Sequence, residues 1–334
     1  MRRRTLFFVL PPVLFLLAAL SLVTGSYPLK LSDVPTILGE LFMPSDKQSL
    51  VTRVFWGLRF PRTITALLSG FILGVSGGVY QLIFSNPLAS PDLTGVASGA
   101  SFGAALAIVL GIGGSFQRMG FAFFGGIMSL VLVLLLVNRA GGERTGSYVL
   151  SGIVISALCS AGLMVLKTLA DPERQLSAID FWTMGSLAAV SSVKAYPLAA
   201  LSLPVIALML LLRRPLTMLA LGDEECRAAG LSPRPWRALL LSAATLAVSA
   251  SVSVTGVIGF VGLIAPHITH FLYGRRSRAF LPLCGAVGAS ILTAADLAAR
   301  SLGGGAELPV SIFTVAAGVP VLVVLLCRRR REGT

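Results

Sequence analysis

Runs of about twenty apolar residues, separated by short polar stretches, recur along the whole chain. At 1.5 Å per residue, an α-helix of that length crosses the hydrocarbon core of a bilayer. Such runs fall near residues 5–23, 61–84, 95–112, 119–137, 148–169, 197–212, 236–255, 257–272, 279–299 and 308–327. They predict ten transmembrane helices, with nine or eleven as the neighbouring counts. The run at 257–272 is short and interrupted by Pro266.

The composition agrees. The 334 residues are 55% hydrophobic and 12% charged, with mean hydropathy +0.87, whereas soluble domains carry about 25% charged residues. The expected class is an all-α integral membrane protein forming a single transmembrane domain over 1–334. The start, MRRRTLFFVLPPVLFLLAALSLVTG, has the basic cap of a secretory signal. Its apolar run from Thr5 to Val23 is nonetheless as long as a span, and signal cores usually have about 7–15 residues, so a retained first helix is expected. The longest polar segments are 24–60, 171–196 and 213–237.

Charge sets the orientation, because Lys and Arg near helix ends stay on the cytoplasmic side. With ten crossings and the N-terminus inside, 17 of the 27 basic residues are cytoplasmic, nine are outside and Lys167 lies within a span. Both termini are then cytoplasmic. The net charge of +13 expresses this bias, so nucleic-acid binding is not inferred.

Several short patterns bear on chemistry. Gly70, Gly74 and Gly78 share a helix face, as do Gly99 and Gly103; small residues at this spacing let helix backbones approach closely. In FSNPLASPDLTGVASGASFG (84–103), Pro87 and Pro91 break the helix, and Asp92 and Thr94 are placed to cap the next one. Irregular backbone at membrane depth is tolerated where it is buried in protein or lines a watery cavity, which points to a pathway. GVSG around Ser76 matches the GxSG of intramembrane serine proteases, but glycine packing explains it better. GASFG around Ser101 lacks the strand-to-helix turn that a nucleophile elbow needs. His267 and His270 are too few for a specific metal site, so hydrogen bonding or capping is expected. Cys159, Cys226, Cys284 and Cys327 form no CxxC pair. None of the four lysines follows a glycine, so the chain has no GxxxxGK[ST] phosphate loop. If ATP drives this protein, another subunit hydrolyses it. The charged stretch ALGDEECRAAGLSPRPWR (220–237) is then a surface for a cytosolic partner to grip.

LRFPRTITALLSGFILGVSGGVYQLIFSNPLASPDLTGVASGASFG, TGVIGFVGLIAPHITHFLYG, ADLAAR and ELPVSIFTVAAGVP, in this order from about residue 58 to 327, resemble the permease subunits of the FecCD family. These belong to type II ABC importers for iron–siderophore complexes, haem and vitamin B12. The resemblance implies a BtuC-like permease fold of ten helices, a homodimer with its pathway on the two-fold axis, and residence in a bacterial or archaeal cytoplasmic membrane. It implies two cytosolic ATPase subunits using ATP and Mg, a periplasmic or lipid-anchored substrate-binding protein, and no cofactor or metal held by this chain.

Residue by residue, LGDEECRAAGLS is similar to the family's coupling helices, which implies ATPase contact at Leu221, Gly222, Asp223, Glu224, Glu225, Arg227, Ala228 and Gly230, within a segment of about 213–237. Arg59, Arg62 and Arg300 match positions that dock acidic residues of the binding protein. The residues themselves also permit snorkelling to headgroups and an Asp296–Arg300 i,i+4 pair. Asn86 and Leu88 match the inner pathway gate. Thr145 matches a second constriction, where Gly146 departs from a small hydroxyl residue. DFWTMGSLAAV (180–190) is common to the family, and its breadth leans the substrate towards an iron chelate or haem over cobalamin. Two other classes stay open: an ion-coupled secondary transporter, for which only Lys167 and Asp296 offer charge near the membrane, and an intramembrane serine protease at Ser76.

Overall fold

The computed structural model describes residues 2–25, 27, 29–43, 47–140, 145–274, 279–302 and 307–332, with the side chains of 2–8, 31, 145 and 324–332 left aside. Ten helices match the ten predicted spans: α1 (Arg2–Val23), α2 (Phe60–Ile83), α3 (Val96–Val109), α4 (Ser115–Arg139), α5 (Thr145–Leu169), α6 (Ser192–Leu211), α7 (Pro233–Thr255), α8 (Val261–Tyr273), α9 (Phe280–Ser301) and α10 (Val310–Glu332). No strand occurs among the described residues. Among the described residues, six helical stretches are long and apolar enough to cross a membrane, and the described parts of α1, α3 and α10 carry shorter apolar stretches. The interrupted run at 257–272 becomes the 13-residue α8, with Pro266 inside it. All three long polar segments also hold short helices, the first two at Val34–Gly39, Leu50–Val54 and Gln175–Thr183.

The helix α2 is the centre of the bundle: 83% of its apolar window is buried, against 17% for α5. Glycine spacing explains how a central helix is so enclosed. A methyl group added to Gly70 would stand 2.5 Å from the Gly288 carbonyl oxygen on α9, and one on Gly74 would strike the Cys284 carbonyl. Gly99 and Gly103 of α3 meet α4 in the same way, at Ser129 and Phe121. The turn before α2, Phe55–Arg59, is π-helical; the Phe60 N–H donates to the Phe55 carbonyl, and Pro61 has no N–H to restore the tighter pattern.

Between α2 and α3 the chain is irregular, as its prolines require. Ser85 adopts φ +46°, and Pro91–Thr94 forms a 3-10 turn. The expected capping is not observed: Gly95 (φ +72°) is the N-cap of α3, and no side chain caps the helix. Thr94 instead donates to the Pro91 carbonyl at 2.9 Å and meets the Tyr80 hydroxyl at 2.7 Å. The turn turns inward because Tyr80, fully buried on α2, offers an oxygen that must be paired.

Candidate functional site

Three groups of singled-out residues lie on the structure. Arg62 lies in the first turn of α2 and Asn86 follows its end, so about 32 Å of helix separates them at 1.5 Å per residue.

The Arg62 end holds a charged cluster around Asp296, whose side chain is wholly enclosed. Arg62 donates to Asp296 Oδ1 through Nε at 3.0 Å and Nη2 at 2.8 Å, and to Glu307 Oε1 through Nη1 at 2.8 Å. Arg300 donates to Asp296 Oδ2 at 2.7 Å, to Ser21 Oγ at 2.6 Å, and to the Ser21 and Thr24 carbonyls at 3.0 and 3.1 Å. Arg59 donates to the Tyr27 carbonyl at 3.0 Å. The structure thus brings Arg59, Arg62 and Arg300 to one end, but largely buried, at 7% and 9% exposure for the first two. The i,i+4 pair is present, and the guanidiniums of Arg62 and Arg300 are held by protein instead of snorkelling. Among the described residues three cations meet two carboxylates, so the cluster keeps a net positive charge there, and Arg59 is its member without an acidic hydrogen-bond partner.

The opposite end carries the pathway-loop and coupling residues. Asn86 and Leu88 are exposed on the loop after α2, where Asn86 Oδ1 accepts from the Leu88 N–H at 2.9 Å. Gly146 is exposed in the first turn of α5; the side chain of Thr145 is outside the described residues.

The predicted coupling segment is helical, as two short pieces, Arg213–Leu221 and Asp223–Ala228. Gly222 joins them at φ +136°, a conformation open to glycine and strained for other residues. Leu216 and Leu219 anchor the first piece and Cys226 the second, all buried. Leu221, Glu224, Glu225, Arg227, Ala228 and Gly230 face outward. Asp223 does not: its carboxylate accepts from the buried Arg237 at 2.5 Å.

Two contacts tie this segment to the Asn86–Leu88 loop and to the start of α5. Ser85, beside Asn86, donates to the Ala220 carbonyl at 3.3 Å. Arg237, held by Asp223, lies 5.9 Å over the ring of Tyr148, one turn beyond Thr145 and Gly146. Neither link was legible beforehand, since both join residues more than 80 positions apart; the one signal was a tyrosine and a serine standing beside the singled-out residues.

The remaining candidates find ordinary places. Ser76 is fully buried and donates to the Ala244 carbonyl at 3.4 Å, and Ser101 donates to the Ala97 carbonyl within α3. His267 and His270 lie on α8, and no three potential metal ligands gather among the described residues. Cys159, Cys226 and Cys284 are free thiols; the Cys327 side chain is outside the described residues. Lys167, at the end of α5, pairs with Asp180 at 2.6 Å.

Comparison with known proteins gives a consistent answer. The chain is 37% identical over 321 residues to the vitamin B12 import system permease protein BtuC of Shigella boydii, covering 96% of this chain and 94% of that one. It is 34% identical over 327 residues to an ABC transporter permease protein of Methanocaldococcus jannaschii, covering 94% and 92%. A solved structure described as an inward-facing conformation of a metal-chelate type ABC transporter superposes with TM-score 0.86 at 33% identity, covering 97% of this chain and 99% of that one. With the FecCD transport family model matching residues 13–328 on a ten-helix bundle of this shape, the chain belongs to the FecCD transport family.

Proposed function

We propose that the chain is the membrane permease subunit of an ATP-driven importer for a metal chelate. Its Asp223–Ala228 helix receives a cytosolic ATPase, and the Arg62 end faces the substrate-binding protein. The observation that carries this reading is the double link at the coupling end. One short charged helix pair is bonded through Ala220–Ser85 to the Asn86–Leu88 loop and through Asp223–Arg237–Tyr148 to the start of α5. A push on its outward face therefore moves both gate elements at once. At the far end, the surplus charge at Arg59 attracts an acidic side chain of the binding protein through a charge-assisted bond.

Two copies form the pathway. The pathway-loop residues are exposed in the single chain, and α5 and α10 present apolar faces, including Ile153, Leu158, Ile312 and Val319, for a second copy to cover. The names of the relatives draw the substrate from the iron chelate or haem of the family's breadth towards cobalamin, itself a metal chelate, as the first to test. ATP and Mg belong to the partner subunit.

The experiment is co-purification with a candidate ABC ATPase from the same organism, in nanodiscs, comparing wild type with Glu224→Arg/Arg227→Glu. The expected result is a complex whose ATPase activity rises with the binding protein, lost in the reversal. Failure of any ATPase to associate with folded wild type would remove the coupling assignment and make ion-driven transport the reading to test.

A further inference from the structure

We propose that the chain carries a site for one anionic phospholipid, with its headgroup in a basic pocket at the Arg62 end and an acyl chain in the groove between α4 and α6. The pocket is a cavity of about 280 Å³ bordered by Ser115, Arg118, Trp182, Ser186 and Lys194. Arg118 and Lys194 are close enough to repel each other. Their bonds go to carbonyls, Arg118 to Gly113 at 3.0 Å and Lys194 to Ala189 at 2.8 Å, and neither is in an ion pair with any described carboxylate. The Arg118 Nε is buried and has no partner.

Two half-buried cations side by side without an acid are costly, and a bound anion relieves both their repulsion and the orphaned N–H. They also stand on the side where positive charge is disfavoured, which calls for a reason. The first turns of α4 and α6 both border this cavity, through Ser115, Arg118 and Lys194, adding the positive ends of two helix dipoles.

What makes the anion a lipid is the continuation of the pocket. Met119, Ser253 and Val254 border both this cavity and an apolar one of about 230 Å³ that runs down between α4 and α6 past Phe123, Leu198 and Leu201. Trp182 borders the pocket and Phe116, 59% exposed, borders the groove, as aromatic residues do at the interface of a bilayer. A phosphodiester with a net negative headgroup matches the cations, and its chain matches the groove.

The test titrates the purified full-length chain in detergent with phosphatidylglycerol or phosphatidylcholine, read by native mass spectrometry. Three variants are compared: Arg118→Gln/Lys194→Gln, the charge-retaining Arg118→Lys/Lys194→Arg, and Gly120→Phe. Gly120 borders the groove and its missing side chain faces open space, so phenylalanine fills the groove while both charges stay. Expected is one phosphatidylglycerol per chain, held more tightly than phosphatidylcholine. Binding weakens about thirtyfold on loss of both charges, is kept in the charge-retaining pair and is lost in Gly120→Phe. Melting curves separate misfolding from lost binding, and the charge-retaining pair and Gly120→Phe still decide if the neutral pair does not fold. Equal retention of the two lipids, or phosphatidylglycerol retained without the charges, overturns the proposal. So does inorganic phosphate displacing phosphatidylglycerol from wild type at equal concentration, which marks a free-anion site. A neutral pair that keeps its lipid but no longer captures the substrate-binding protein also overturns it, and reassigns the cations to docking.

Discussion

Asp296 is fully enclosed, and an ionised carboxylate is tolerable there because two guanidiniums and their hydrogen bonds replace the water it lost. Asp296→Asn leaves Arg62 and Arg300 facing each other, and is expected to cost about 3–5 kcal/mol, read as a lower unfolding midpoint in detergent. Glu307 is 38% exposed, so Glu307→Gln is expected to cost under about 1 kcal/mol. An enclosed carboxylate held by two permanent cations is also poorly suited to taking up and releasing a coupling ion, which weighs against the secondary transporter. Ser76 separates the remaining class. Its hydroxyl touches a main-chain carbonyl in a closed interior, so Ser76→Ala is expected to cost about 1 kcal/mol of stability and to leave chelate uptake within about twofold. Loss of a proteolytic activity on that substitution would revive the protease. Sequence alone marked Arg59, Arg62 and Arg300 and allowed the Asp296–Arg300 pair, but it did not show Arg62 turned inward, because pairing with Asp296 and Glu307, 234 and 245 positions away, has no local signature.

Among elements, the α2–α9 contact illustrates how spacing becomes packing. Gly74 lies against the Cys284 carbonyl, and backbone cannot retreat as a flexible side chain can. Gly74→Leu is therefore expected to abolish accumulation of folded protein, measured as the monodisperse fraction on size exclusion. Gly120→Ala, facing open space, is expected to be neutral or to stabilise by up to about 1 kcal/mol through helix propensity. The coupling helices give a second case. Asp223 is turned inward to Arg237 while its neighbours Glu224 and Glu225 face out. Asp223→Asn should thus retain ATPase association yet lower transport severalfold, which uptake assays in proteoliposomes distinguish from the Glu224→Arg/Arg227→Glu reversal. The helical nature of this segment was implied by the resemblance of its residues to the family's coupling helices; the division of its acids into one structural and two outward ones was not, since that depends on where α7 places Arg237.

For the whole molecule, the existence, order and approximate bounds of the ten helices followed from apolar run length, because the bilayer core admits few alternatives to a helix of about 20 residues. The glycine faces followed too, since a 3.6-residue period puts every fourth residue on one side. What only the tertiary structure decided is which charges neutralise each other, that Thr94 turns inward to Tyr80 instead of capping α3, and that one short helix pair reaches both the Asn86–Leu88 loop and the start of α5. Those outcomes depend on side chains from distant segments meeting at distances of about 3 Å, and an apolar pattern along a chain carries no information about which polar groups on separate helices will come to share that space.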